Sequence, residues 1–213
     1  MQIQGSAQDF DNWSELTTLM VFAHDDANFA NLIGKTNYAG WMDNSRNTAW
    51  AIFTHRLDGG YNLWGPTVIT ETPSTYYGNN TGTKELQSQD GGGPGMLLFS
   101  YKSGLLSMHI NGTRRIFHTG LSGKIQPKPD LNVTIGGFQN LGGNNKMLLS
   151  EVLILDRVLD EDERLKLEGY TAHKWELEGK LPDTHIYKAG PPVTPPPDFQ
   201  LFDGMVDDLR IYD

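Results

Sequence analysis

The sequence contains no cysteine among its 213 residues. This absence excludes disulfide bonds, cysteine nucleophiles and thiolate ligands for metals. It leaves the cellular compartment open, because secreted bacterial proteins also occur without cysteine.

The sequence also lacks a long apolar run and an excess of positive charge. No window has the length of a membrane span, and residues 1–4 have neither the basic nor the apolar region of a signal peptide. We therefore expect a piece of a longer exported protein, without membrane insertion. The net charge of −9 and the isoelectric point near 5.0 argue against nucleic acid and anionic membranes as partners.

Patterns that would indicate catalysis are missing as well. Glycoside hydrolysis needs two carboxylates on one strand face, whereas Glu151 and Asp156 are five positions apart and so fall on opposite faces of a regular strand. The six histidines show no i, i+2 or i, i+4 pair that would suit a metal. The sequence therefore predicts a protein that is not an enzyme.

Short strand-like segments rich in aromatic and β-branched residues make up most of the chain. Residues 16–23, 50–56, 96–101 and 105–111 have this character, and the 24 glycines supply turns between such segments. Asn111 and Gly112 are a typical two-residue hairpin turn. This composition favours an all-β sandwich.

One helix is predicted near the end of this region, after the apolar strand 152–155. Asp160 and Glu163 have the spacing of a capping box at a helix N-terminus. The helix has apolar residues on nearly opposite faces, so we expect it either to be contacted from two sides or to break near Gly169. Trp13 and Trp175 are predicted to be core residues.

Several motifs resemble one known family. The segments SEVLILDR, DEDER and EGYTAHKWELEGKLP resemble the closing signature of bacterial laminin-G-like domains, which belong to the concanavalin-A-like lectin/glucanase superfamily. LIGK, LLSMHINGT and VTIGG resemble earlier strands of that family and stand in the same order. The resemblance implies a two-sheet antiparallel jelly-roll sandwich with one short C-terminal helix over residues 1–188.

A proline-rich linker and a strand-like tail follow this domain. Residues 189–198 form the linker, and residues 199–213 contain MVDDLRIYD, which is similar to the strand motif SEVLILDR. The tail is either the start of a second unit or a strand that covers an edge of the first. It also offers a contact to neighbouring copies.

Candidate ligand residues lie in or beside loops rich in Asn, Asp and Gly. Sugar binding needs an aromatic ring that stacks on a pyranose and polar groups that bond its hydroxyls. The aromatic candidates are Trp41, Trp64, Tyr76 and Tyr77, and the polar candidates are Asp43, Asn44, Arg46 and Asn79.

Calcium is the one cofactor that the resemblance implies. Asp25, Asp26 and Asn28 offer oxygen ligands at close spacing, although turn formation is the commoner role of such residues.

The resemblance and these residues predict a non-catalytic carbohydrate-binding or adhesion module of a secreted or cell-surface bacterial protein, with a glycan or polysaccharide as its partner. One alternative is a structural subunit or spacer of an extracellular filament that assembles by strand addition through residues 199–213. Another is a polysaccharide hydrolase or lyase, which the missing patterns above disfavour.

Overall fold

The computed structural model describes residues 10–11, 13–24, 30–36, 48–57, 60–71, 75–76, 94–137, 147–193 and 210–212. These ranges form eleven strands, one α-helix and one short 3-10 helix. The strands are β1 (Glu15–His24), β2 (Ala30–Thr36), β3 (Thr48–Leu57), β4 (Gly60–Ile69), β5 (Thr75–Tyr76), β6 (Gly95–Lys102), β7 (Leu105–Ile110), β8 (Thr113–Thr119), β9 (Val133–Ile135), β10 (Met147–Leu155) and β11 (Arg210–Tyr212). Helix α1 (Glu161–Lys174) and the 3-10 helix Glu178–Lys180 lie between β10 and β11.

The strands form two sheets that pack face to face. The six-stranded sheet has the order β11-β10-β1-β6-β7-β8, and the five-stranded sheet has the order β5-β4-β3-β2-β9. Strand neighbours are antiparallel except for β10 and β11, which run parallel. The predicted all-β two-sheet antiparallel sandwich with a single C-terminal helix is therefore confirmed.

The apolar face of each sheet faces the other sheet and forms the main core. Trp50, Phe22 and Phe99 are fully buried there. Trp13 is partly buried against this core and its ring centroid lies 4.9 Å from that of Phe10. The Tyr101 hydroxyl donates a 2.7 Å hydrogen bond to the Gly123 carbonyl, and burial raises the pKa of Tyr101 to about 12.

A second apolar cluster lies on the other face of the six-stranded sheet. Leu19, Leu98 and Leu153 meet Leu167 and Ala172 of α1 in this cluster. Trp175 is partly buried against it, as its prediction as a core residue requires, and its indole N–H donates to Glu151 Oε2 at 2.5 Å. The sandwich therefore has a third, helical layer on one side.

Helix α1 begins where the sequence predicts it to begin. Glu163 N–H donates to Asp160 Oδ1 at 2.8 Å, and Asp160 N–H donates to Glu163 Oε2 at 3.0 Å, so the capping box is complete. The helix continues through Gly169, which contacts the Tyr187 ring. Helix α1 is thus contacted by segment 181–188 in addition to the sheet, and contact from two sides is the alternative that the structure adopts.

The β7–β8 hairpin also has the predicted turn. Asn111 and Gly112 have φ values of 49° and 76°, the left-handed conformation that a type I′ turn requires at both positions. Asn111 Oδ1 accepts a 2.9 Å hydrogen bond from the Met96 N–H, which attaches the turn to β6.

Strand β11 lies beside β10, the strand whose sequence it resembles. Arg210, Ile211 and Tyr212 pair in register with Leu153, Ile154 and Leu155. Of the two arrangements open from sequence, this pairing is the one in which the tail covers an edge of the first sandwich. No helix within the described ranges is long and apolar enough to cross a membrane.

Candidate functional site

Small residues line up across the outer face of the five-stranded sheet, the face turned away from the six-stranded sheet. Thr134 pairs with Gly34, Gly34 with Ala51, and Ala51 with Thr67, so one row crosses four strands. The neighbours of Ala51 along β3, Trp50 and Ile52, point into the core, which places Ala51 on the outer face. A Cβ on Gly34 would lie 2.5 Å from the Ala51 Cα, so glycine alone fits this close approach.

Asn31 lies in the next row of the same face, in register with Phe53, which in turn pairs with Trp64. The Asn31 side chain is fully buried. Its Nδ2 donates to the Thr134 carbonyl at 3.1 Å, the Thr134 hydroxyl at 2.9 Å and the Gly137 carbonyl at 3.2 Å. Because carbonyls only accept hydrogen bonds, these contacts fix the amide orientation.

Asn31 Oδ1 has no hydrogen-bond partner among the described residues. A buried amide oxygen without a donor is costly, roughly 1–3 kcal/mol. Such a group is satisfied when a ligand hydroxyl, a water or a cation approaches it. Asn31 was not among the residues that the sequence singled out, because its place in this row depends on pairing with distant strands.

The structure describes the backbone of two predicted ligand residues. Trp64 lies in β4 opposite Phe53, and Tyr76 lies in β5 opposite Val68. The strand register thus brings Trp64 into the row of Asn31 and Phe53. The other ligand candidates and all three calcium candidates lie outside the described residues and remain predictions: Trp41, Asp43, Asn44, Arg46, Tyr77 and Asn79 for the ligand, and Asp25, Asp26 and Asn28 for calcium.

The described part of the chain contains no group of three or more His, Asp or Glu side chains placed to hold a metal ion. The calcium prediction is unaffected, since its residues lie elsewhere.

A buried charged cluster lies between α1 and the six-stranded sheet. Glu168 is fully buried and is paired with Arg164, while His185 Nε2 lies 3.4 Å from Glu168 Oε2. Arg164 also donates to Glu161 Oε1 at 2.6 Å. Burial lowers the pKa of Arg164, but the Glu161 hydrogen bond and the field of Glu168 outweigh that effect and raise it. The cluster attaches segment 181–188 to the helix.

His109 of β7 lies beneath this cluster. It is 7% exposed, and its Nδ1 has no hydrogen-bond partner within the described ranges. Desolvation lowers the pKa of His109 to about 4, and Arg164 and Arg114 act in the same direction against the opposing field of Glu168 and Glu161. His109 is therefore a neutral packing residue at neutral pH on the helix-facing side of β7.

A second surface, which the sequence did not single out, lies on the outer face of the six-stranded sheet beyond α1. We call this surface the β6–β8 face and define it by Ser100, Lys102, Leu105, Ser107, Arg114, Phe117 and Thr119. Phe117 is 55% exposed, and the Arg114 guanidinium carbon lies 4.7 Å from the centre of its ring. The signal that could have revealed it is the local excess of positive charge in residues 94–137.

No protein-family model matches the sequence, and no curated protein matches it. Solved structures resemble the fold. The K499G mutant of NanB sialidase from Streptococcus pneumoniae superimposes with a TM-score of 0.52 at 15% identity, over 77% of this chain and 25% of that chain. At 15% identity this likeness shows a shared two-sheet sandwich fold and nothing beyond the fold.

Two further structures have lower scores. The native heptameric SAP-like pentraxin from Limulus polyphemus has a TM-score of 0.46 at 16% identity, over 69% of this chain and 66% of that chain. Domain 4 of AbnA, a GH43 extracellular arabinanase from Geobacillus stearothermophilus in complex with arabinotriose, has a TM-score of 0.42 at 17% identity, over 67% of this chain and 60% of that chain. The chain therefore spans less than two thirds of the length of each of these three structures.

Proposed function

We propose that this chain is a non-catalytic carbohydrate-binding module of the laminin-G-like type, in a secreted or cell-surface protein. Its ligand surface is formed by the loops that carry the predicted aromatic residues, beside the outer face of the five-stranded sheet, whose described side chains are themselves at most 3% exposed (Asn31, Ala51, Phe53, Thr67 and Thr134). The observation that carries the proposal is the row Asn31–Phe53–Trp64, where a buried amide oxygen without a partner lies in register with a predicted stacking residue. An unpaired acceptor beside an aromatic residue suits a ligand that carries both hydroxyls and C–H faces.

Two carboxylates of the described chain, Glu151 and Glu168, are engaged in internal contacts. Glu151 accepts hydrogen bonds from the Trp175 indole at 2.5 Å and from Lys174 at 3.4 Å. Its carboxylate is therefore bound by side chains at the end of α1. Glu168 is fully buried against Arg164. A glycosidase needs two carboxylates facing the same bound sugar, and neither of these two acids is accessible to a polysaccharide.

Binding to an array of bacterial, algal and plant glycans tests the proposal, followed by calorimetry on the best ligand. We expect Trp64→Ala to weaken binding about tenfold, since a stacked aromatic contributes on the order of 1 kcal/mol or more. Ile186→Ala, which trims an exposed side chain of segment 181–188, serves as a control with unchanged affinity. An array without ligands, or equal affinity of Trp64→Ala and the parent, would overturn the proposal. Release of reducing sugar from a bound glycan would overturn its non-catalytic part.

The second candidate function is a filament subunit that assembles by strand addition, and β11 favours it. A three-residue parallel strand at the end of a proline-rich linker covers the edge of β10, and the same pairing can form with a neighbouring copy. Light scattering across a hundredfold range of concentration, with Ile211→Pro as the strand-breaking variant, tests this idea. Growth of the parent but not of the variant supports assembly, and a monomer at every concentration overturns it.

A further inference from the structure

The β6–β8 face has a charge opposite to that of the rest of the protein. Its seven defining residues include two cations, Lys102 and Arg114, and no Asp or Glu, whereas the whole chain has a net charge of −9. At physiological ionic strength charges more than about 8 Å apart are largely screened from each other. A ligand at this face therefore meets the local positive charge and little of the distant negative charge.

The register of β6, β7 and β8 arranges the face in rows. Ser100 pairs with Ser107 and Ser107 with Phe117, while Lys102 pairs with Leu105 and Leu105 with Thr119. These residues alternate with Phe99, Tyr101 and Leu106, which point into the main core. They consequently share the face that α1 occupies further along the same strands.

Helix α1 covers the part of this face on the other side of Ser100, where Met96 and Leu98 of β6 belong to the helix-facing apolar cluster. The row next to Ser100 contains Leu98 and the buried His109, and it ends at Arg114 on β8. By contrast, Lys102, Arg114, Phe117 and Thr119 are exposed and Ser100, Leu105 and Ser107 are half-buried. The part beyond the helix is thus an accessible sheet surface.

The groups on this surface suit a sugar chain that bears carboxylates. The exposed ring of Phe117 is a stacking platform, and Arg114 lies over one side of it. Ser100 and Ser107 hydroxyls lie 2.9 Å apart and can both donate and accept. Lys102 and Arg114 supply charge-assisted donors from the two rows that flank the hydroxyl row.

The size of the surface separates a glycan from a macromolecular partner. Three strands about 4.8 Å apart and two rows about 6.8 Å apart cover roughly 200 Å². A stable protein interface needs about 800 Å² on each partner, and a specific protein–DNA interface buries more than that. A few sugar units fit this area.

We propose that the β6–β8 face is a second glycan site, specific for a uronate-bearing polysaccharide. It is separate from the row of Asn31 and Trp64, so it stands whether or not that first site binds a glycan.

The probe is polygalacturonate, with its fully methyl-esterified form as the neutral polymer of the same backbone. We expect calorimetry to show binding of polygalacturonate that weakens as salt is raised, and no binding of the ester. Phe117→Ala should weaken binding about tenfold, because the stacking platform is lost. Lys102→Ala should weaken it several-fold, whereas Lys166→Ala, which removes a half-buried cation paired with Asp162 on α1, should leave it unchanged.

Each alternative outcome overturns the proposal. The proposal fails if polygalacturonate does not bind. It also fails if the methyl ester binds as tightly as polygalacturonate, or if Phe117→Ala binds polygalacturonate as tightly as the parent protein. Equal binding of a single-stranded oligonucleotide or of anionic lipid vesicles, lost in the same variants, would identify a general polyanion surface instead. If the two sites are separate, Trp64→Ala still binds polygalacturonate. This variant therefore distinguishes loss of binding at the β6–β8 face from loss of binding at the row of Asn31 and Trp64. Phe117 is exposed, so unchanged thermal unfolding of Phe117→Ala confirms that the loss is local.

Discussion

Lys35 Nζ lies 2.5 Å from Asp11 Oδ1, and the Lys35 side chain is fully buried. Lys35 alternates with Ile33 on β2 and so points into the sandwich, where an ammonium without a counter-charge would be costly. Asp11 Oδ1 also accepts a 2.8 Å hydrogen bond from the Lys128 N–H. One carboxylate thus joins the start of the described chain, β2 and the segment before β9.

Replacing Asp11 by Ala removes one partner of this buried pair. We expect the free energy of unfolding to fall by roughly 3–5 kcal/mol, because Lys35 stays buried without its counter-charge. The double variant Asp11→Ala with Lys35→Met should recover most of that loss, since it leaves no buried charge. Urea denaturation of the three proteins measures both effects, and a loss below about 1 kcal/mol in the single variant would contradict the role given to the pair.

His109 makes the fold sensitive to acid. Its pKa is about 4 in the folded protein and near 6.5 in the unfolded chain. Below pH 6.5 the unfolded chain binds a proton that the folded protein does not, so stability is fully present above that pH and falls as pH drops toward 4. The resulting decrease in the free energy of unfolding reaches about 3 kcal/mol at most.

The variant His109→Gln removes this titration. Glu168, Glu161, Arg164 and Arg114 face the same site and remain, so any pH dependence that they cause is common to both proteins. We expect the stability of the parent to fall more steeply than that of the variant between pH 6.5 and 4, as followed by chemical denaturation at half-unit steps. Parallel curves would show that burial of His109 is not the cause.

Gly34 is expected to tolerate no side chain. In Gly34→Ala the new Cβ would lie 2.5 Å from the Ala51 Cα and 2.6 Å from the Trp50 carbonyl oxygen, both in backbone that cannot rotate away. We expect the free energy of unfolding, measured by thermal denaturation, to fall by about 3 kcal/mol or more. Gly179→Ala is the matched control, because nothing lies within 4 Å of its added Cβ, and its stability should change little.

The capping box of α1 can be tested separately from its packing. Asp160→Ala removes the acceptor for the Glu163 N–H and should lower the free energy of unfolding by about 1 kcal/mol. Asp160→Asn retains an oxygen in the same place and should cost less, since Asn is also a favoured N-cap residue. Equal losses in the two variants, measured by urea denaturation, would argue against the capping role.

Features that depend on residues close in sequence were predictable. Asp160 and Glu163 are three positions apart, and Asn111 and Gly112 are adjacent, so the helix start and the hairpin turn follow from local hydrogen bonding and backbone preference. Apolar and β-branched runs likewise predicted individual strands, whereas the two-sheet arrangement was predicted from the family resemblance. The limit of such reasoning is seen at the tail, where the sequence left two placements of residues 199–213 open.

The sequence by itself therefore determined the all-β class and the late helix. Only the tertiary structure decided that Asn31 bonds Thr134 across 103 positions, and that Lys35 finds its counter-charge 24 positions away. It also decided that Ser100, Ser107 and Phe117 share one accessible row. The physical reason is that strand register and sheet order, which bring distant residues together, arise from the packing of whole faces and are not encoded in any short segment.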